Sequence, residues 1–334
     1  MSKVITLWKK YGMFALLIIL VAGFSLASPS TFFTRVTFYN ILKQASVIGV
    51  LSCGVTILLI TGATDISIGA RVACTTILCG TLLQKGVSIP IVIVVGIVFS
   101  AATGALNAIM AELLHTHVFV ISMATMNVWT GISYLAVGPA TLYDFPTAFK
   151  GISQYMLFGQ VPSIILWFIL CALVAAFILS KTYFGRYIYA IGGNREAAYL
   201  AGINVVKTNI LAQTLAGVFI GIGSIILMSR TMTASANTGG TFAFDCITAC
   251  VLGGVMLGGG RGKMYQAVLG VLVINVLFNG LTIIGVSDYW QMVTKGVILL
   301  AAISLEVFQR FSKVSFSEKA SVASKENEKA TKAV

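Results

Sequence analysis

The sequence predicts an all-α, polytopic integral membrane protein of about ten transmembrane helices, with both termini on the cytoplasmic side. Three observations carry that prediction. Of the 334 residues, 58% are hydrophobic and 10% charged, and the mean hydropathy is +0.97; a soluble domain carries about 25% charged residues, and one globule of this length has too little interior for so much apolar surface. The apolar residues fall into runs of the length that crosses a bilayer as a helix. The basic residues, which bring the net charge to +12, collect on alternate connections, as positive-inside topology requires.

The first run, 11–28, follows Lys3, Lys9 and Lys10 and sets the N-terminus inside. It ends in small residues, Ser25-Leu26-Ala27, but is longer than a signal-peptide core and reads as an uncleaved span. Runs at 45–62 and 67–84 flank Thr61–Ala70, whose sequence is TGATDISIGA. Runs at 89–111 and 118–138 flank His115 and His117, which read as surface histidines because two of them make a poor metal site. Pro139–Gln160, with Asp144, Pro146 and Lys150, reads as an external loop. After the run at 161–180 comes Phe184–Gly202, short, charged and glycine-punctuated, among Lys181, Arg186, Arg195 and Lys207. Runs at 209–229 and 244–260 lead to Arg261 and Lys263, and runs at 265–286 and 290–308 to Arg310 and Lys313. The outer side keeps only the scattered Arg35, Lys43, Lys85, Lys150 and Arg230. Removing one span would move a basic group to the wrong side. The third and eighth runs are the weakest, because glycine and polar residues interrupt them. A transmembrane domain over 1–310 and a cytoplasmic, disordered or loosely helical tail over 311–334 complete the division.

Several function classes are excluded. Basic stripes interleaved with aromatics are absent, so the charge is no sign of nucleic acid. Cys53, Cys74, Cys79, Cys171, Cys246 and Cys250 lie in apolar surroundings with no C-x-x-C and read as small buried hydrophobes rather than metal ligands. Gly258–Met264 fails as a Walker A loop, with Leu257 and Met264 at two required positions, so the chain itself should bind no ATP. No G-x-S-x-G or H-E-x-x-H supports a hydrolase.

The polar residues inside the runs are the candidates for function. Asp65, with Ser67, sits between two apolar runs: it caps the following helix, or it marks a break in a helix that lines a pathway. Asp245 opens the glycine-broken run and could cap that helix or contact a solute. Asn107, Asn127, Asn275, Asn279 and Gln291, with Trp129 and Trp290 nearby, offer amides for hydroxyl groups and aromatic faces for the C–H side of a sugar; interhelical hydrogen bonding is the alternative for each. Carboxylates deep in the spans are lacking, which counts against an ion-coupled route.

These segments, in order, resemble the permease of bacterial ABC sugar importers of the ribose/galactose/xylose branch. Ser28–Asn40 with Gln44 is similar to the family's opening stretch, Thr61–Ala70 to its T-G-G-I-D-L-S-V-G-S motif, Gly104–Asn107 and Phe119–Gly131 to its glycine-asparagine turn and following span. Thr182–Ile203 resembles its cytoplasmic signature, Asp245–Gly262 its glycine-rich span and Gly280–Gly296 its last pair of spans. Thr64-Asp65 and Arg71-Val72 look closer to galactose/methyl-galactoside members than to ribose ones. Ala243 departs from the family, which often has Glu there. The resemblance implies a cytoplasmic ABC ATPase, using ATP and Mg, docked on a coupling loop at Gly193, Asn194, Glu196, Ala197, Ala198 and Gly202. It implies a second permease chain, identical or related, an extracytoplasmic sugar-binding protein, and a bacterial inner-membrane location. No cofactor is expected in this chain. A quorum-signalling furanose, an inositol or a nucleoside would suit the same family, and an ion-coupled secondary transporter is the rival outside it.

Overall fold

The computed structural model describes residues 2–157 and 159–304, with side chains from Gly12 onward. In chain order the elements are α1 (Ser2–Ala27), α2 (Pro29–Phe32), α3 (Arg35–Thr61), α4 (Ile68–Gln84), α5 (Ile89–Leu113), α6 (Val118–Val137), α7 (Thr147–Gln154), β1 (Met156–Leu157), β2 (Val161–Pro162), α8 (Ser163–Lys181), α9 (Tyr183–Gly193), α10 (Arg195–Leu200), α11 (Val205–Thr231), α12 (Phe242–Gly253) and α13 (Met264–Ile283). Residues 288–304 form a last helix, α14. Each of the ten apolar runs thus contains a helix. Six of these, α3, α5, α6, α8, α11 and α13, are long and apolar enough to cross a membrane. The tail at 311–334 and the end of the last run lie outside the described residues.

α3 is the axis of the bundle. It has no polar stripe, and it is buried almost continuously from Ala45 to Thr61, as expected of a helix that is apolar all round. α8, α11, α12 and α13 pack around it in one core containing Val50, Ile57, Phe168, Ile220, Cys250 and Val271. α5 and α6 lie outside, with only 28% and 22% of their apolar windows buried; Val94, Val98 and Leu135 face outward, a surface that lipid can cover. Small residues allow close crossings: a Cβ on Gly217 of α11 would strike the Ser100 carbonyl oxygen of α5, so the two backbones meet without side chains between them.

Two breaks shape the interior. α3 stops at Gly62, whose left-handed backbone (φ 80) returns its N–H to Leu58 and Leu59, and an irregular stretch leads to α4. Residues 232–241 lead into α12. The two helix starts touch, because a Cβ on Gly69 would land on the Gly239 carbonyl oxygen. α4 has 17 residues and α12 only 12, about 25 and 18 Å at 1.5 Å per residue, against roughly 30 Å of hydrocarbon. The expected span at 244–260 is therefore corrected: its helix ends at Gly253. Gly254, Gly259, Gly260 and Gly262 all have positive φ and turn the chain instead of continuing it.

The loop at 139–160, expected to be external, is also more ordered than its composition suggests. α7 buries Phe149 completely, and β1 pairs antiparallel with β2. All six cysteines are free and buried.

Candidate functional site

A cavity of about 310 Å³ lies between α3, α11, α12, α13 and α14. Four of the sequence candidates line it: Asp245 from the first turn of α12, Asn275 and Asn279 from successive turns of α13, and Gln291 from α14. Asn275 Nδ2 donates to the Val271 carbonyl at 2.8 Å. Asn279 Nδ2 donates to Gln44 Oε1 at 2.8 Å and to the Asn275 carbonyl at 3.2 Å. Gln291 Nε2 donates to Thr282 Oγ1 at 3.1 Å and to the Val286 carbonyl at 3.0 Å. In all three amides the N–H side is committed to the protein and holds the group in place. Among the described residues their oxygens accept nothing, so three acceptors are left to a guest. Phe242 and Phe278 supply apolar wall.

The charge in this cavity is nearly compensated. Asp245 Oδ1 lies 2.8 Å from Lys295 Nζ of α14, and Asp245 Oδ2 accepts from Thr241 Oγ1 at 2.9 Å. Asp245 therefore does not cap α12; its carboxylate turns sideways and ties α12 to α14. Lys295 also sits 4.8 Å from the centre of the Phe278 ring, within cation–π range. Arg230 is the remaining cation, its Nη1 reaching the Lys43 carbonyl at 3.5 Å. Ala243, two positions before Asp245, faces the main core and not the cavity.

Asp65, Ser67 and Asn107 gather elsewhere, in a buried polar knot at the start of α4. Asp65 Oδ2 is 3.0 Å from Arg71 Nη1, and both side chains are fully buried. Asp65 Oδ1 accepts from the Ser67 N–H at 2.8 Å and from Ser67 Oγ at 2.6 Å. Asn107 Nδ2 donates to Ser67 Oγ at 3.0 Å and to Asp65 Oδ2 at 3.3 Å. Arg71 is satisfied further by Thr103 Oγ1 at 2.9 Å and the Ser100 carbonyl at 2.6 Å. Ser122 Oγ accepts the Ile66 N–H at 3.1 Å, so the knot pins the break between α3 and α4 to α5 and α6. Asp65 holds the turn before α4 through Ser67, while α4 itself, which starts after Ser67, carries no side-chain cap.

Asn127 and Trp129 are not brought to either place. Asn127 is exposed on α6 and donates to its own Met123 carbonyl at 3.0 Å; Trp129 packs edge-on against Phe99 at 5.7 Å.

The candidate coupling residues form a separate surface. Asn194 Oδ1 accepts from the Ala197 N–H at 3.0 Å and so caps α10. Gly193, Asn194, Glu196 and Ala197 are exposed, and Tyr199 and Leu200 follow them at 70% and 78% exposure. Ala198 faces inward against Ile191 and Val205. Gly202, with φ 82, ends the turn. Arg195 Nη2 pairs with Glu112 of α5 at 2.8 Å, and Asn209 donates to the same carboxylate at 2.8 Å. Below, α9 sits directly on the glycine turn after α12. A Cβ on Gly192 would strike the Ile60 carbonyl, Gly260 donates to that same carbonyl at 2.8 Å, and Tyr189 Oη donates to the Gly262 carbonyl at 2.7 Å. Burial raises the Tyr189 phenol above its ordinary value, which keeps it a donor. A displacement of α9–α10 would therefore act on the segment joining α12 to α13, both of which line the cavity.

Sequence reasoning passed over Lys295, the partner of Asp245, and named Arg71 only within the family resemblance, not as the partner of Asp65. Each is a lone cation in an apolar run. That signal was present, but it named no partner.

Residues 37–303 match the family described as branched-chain amino acid transport system, permease component. A ribose import permease protein of Bacillus subtilis is 34% identical over 304 residues, covering 89% of this chain and 92% of its own. Galactose/methyl galactoside import permease proteins are also 34% identical. That of Haemophilus influenzae aligns over 91% of this chain and 96% of its own, and that of Escherichia coli over 90% and 95%. No solved structure matches the chain.

Proposed function

This chain belongs to the branched-chain amino acid transport system permease component family, and from that premise we propose that it is the membrane permease of an ABC importer carrying a monosaccharide into the cytoplasm. It is a transport subunit of the cell membrane and not an enzyme. The observation that carries the sugar reading is the cavity, where three oriented amide oxygens and two aromatic walls suit hydroxyl donors and C–H faces. Ribose and galactose both fit this chemistry, and relatives named for each stand at the same 34% identity.

The remaining parts follow from that role. An ATPase subunit, using ATP and Mg, docks on Gly193–Gly202, where exposed Tyr199 and Leu200 flank Glu196. A second permease chain completes the channel, and an extracytoplasmic binding protein delivers the sugar to the end of the cavity near Arg230 and Thr282. Both termini are cytoplasmic. Motion passes from α9 through the glycine turn to α12 and α13. An ion-coupled mechanism is disfavoured because, among the described residues, the buried carboxylates Asp65 and Asp245 are each already paired with a cation of the same chain.

Purification of the tagged chain from its native membrane in mild detergent, with mass spectrometry of what accompanies it, tests the assignment. Recovery of an ABC ATPase supports it. A chain that purifies alone, and that transports in liposomes on an ion gradient, overturns it.

A further inference from the structure

A second, larger hollow has no role in the transport scheme. It runs between α1, the α2–α3 corner, β1–β2 and α13, with a volume of about 1180 Å³, nearly four times the amide-lined cavity. One end is polar. Arg35 and Lys43 line it together with Thr34, Asn40 and Gln160, and no acidic side chain does. Neither cation has an ion-pair partner among the described residues. The other end is apolar, walled by Leu17 and Val21 of α1 and Leu272 and Val276 of α13. Those four residues lie some two to three turns inside the ends of their helices, whereas Arg35 begins α3 and Lys43 follows two turns later, about 12 Å along the axis.

A polar rim bearing two free cations above an apolar trough reproduces the anatomy of a phospholipid. The chain is a membrane protein, so lipid reaches this groove at very high local concentration. A zwitterionic headgroup would leave the two positive charges uncompensated; an anionic one neutralises them. We infer that this groove is a binding site for one anionic phospholipid, its phosphate between Arg35 and Lys43 and its acyl chains against Val21 and Val276. The long stems of both cations lie along the apolar wall while their charged ends reach the headgroup. The bound lipid reinforces the packing of α1 on Phe32, Ile41 and Val276.

The test is native mass spectrometry of the full-length protein titrated with dioleoylphosphatidylglycerol or dioleoylphosphatidylcholine. The wild type should retain phosphatidylglycerol preferentially. Arg35→Gln and Lys43→Gln should each weaken that retention about fivefold, and the double variant about 25-fold. Lys85→Gln, an exposed cation outside the groove, should change nothing. Val21→Trp, which fills the trough and keeps both charges, should lower binding of either lipid, and it serves if the double variant does not fold. Equal retention of the two lipids, or undiminished phosphatidylglycerol binding in the double variant, would overturn the assignment. So would a disulfide between copies carrying Val36→Cys in lipid membranes, since it would place a second chain over the groove.

Discussion

Removing the Asp65 carboxylate should be among the most damaging single changes in this chain. Arg71 is fully buried, and its one compensating charge is Asp65, 3.0 Å away. In Asp65→Ala the guanidinium keeps Thr103 and the Ser100 carbonyl but loses its counter-charge, while Ser67 and Asn107 lose their shared acceptor. Breaking one side of a buried ion pair costs about 3–5 kcal/mol, and the three neutral hydrogen bonds that Ser67 N–H, Ser67 Oγ and Asn107 Nδ2 donate to the carboxylate add about 1 kcal/mol each. The midpoint of thermal unfolding in detergent should fall by roughly 9–11 °C. The double variant Asp65→Leu/Arg71→Met removes both charges and should recover most of that loss, because the desolvation cost of the pair disappears with it. Lys150→Ala, at an exposed position of α7, is the control. Thermal scans of the purified variants by fluorescence-detected size exclusion read all three. If Asp65→Ala melts with the control, or if the double variant is less stable than the single one, the reasoning fails: the knot would then not be the clasp that fixes the α3–α4 break.

Three further outcomes are expected. Lys295→Asp and Asp245→Lys should each depress uptake, and the combined exchange should restore much of it, as a coupled pair requires; equal loss in the combined variant would separate the two residues. Asn279→Leu should raise the sugar concentration for half-maximal uptake two- to tenfold, the worth of about one neutral hydrogen bond, with membrane insertion unchanged; an unaltered saturation curve would remove the amides from the pathway. Glu196→Lys should abolish uptake and ATPase co-purification while the protein stays folded in the membrane, and normal uptake would remove α10 from the docking surface.

Hydropathy alone marks out the helical segments, since a span must be apolar over its whole length whatever its neighbours are. The limits of α12 are a different matter. Gly253-Gly254 marks this run as broken, but Val255, Met256 and Leu257 prolong its hydropathy, and it is the positive φ of Gly254 and the following glycines that turns the chain there. The site was legible in part for a related reason. Asn275, Asn279 and Gln291 stand out because amides are costly in lipid, yet Asn127 stands out equally and faces outward, since both faces of α6 are apolar and no periodicity tells them apart. Pairings were the least legible feature. Asp65 and Arg71 are six apart, a spacing that a continuous helix would not bring together; the break at 62–67 does so. Lys295 lies 50 positions from Asp245, and only the packing of α14 on α12 joins them.

The central claim is that this chain imports a sugar using energy supplied by another subunit. The most direct measurement is uptake of radiolabelled ribose and galactose by proteoliposomes holding the chain with its co-purified ATPase and binding protein. The account predicts uptake that needs internal-face ATP and Mg, is lost in Glu196→Lys and is indifferent to an ionophore. Uptake by the chain alone, driven by an ion gradient and abolished by the ionophore, would contradict it.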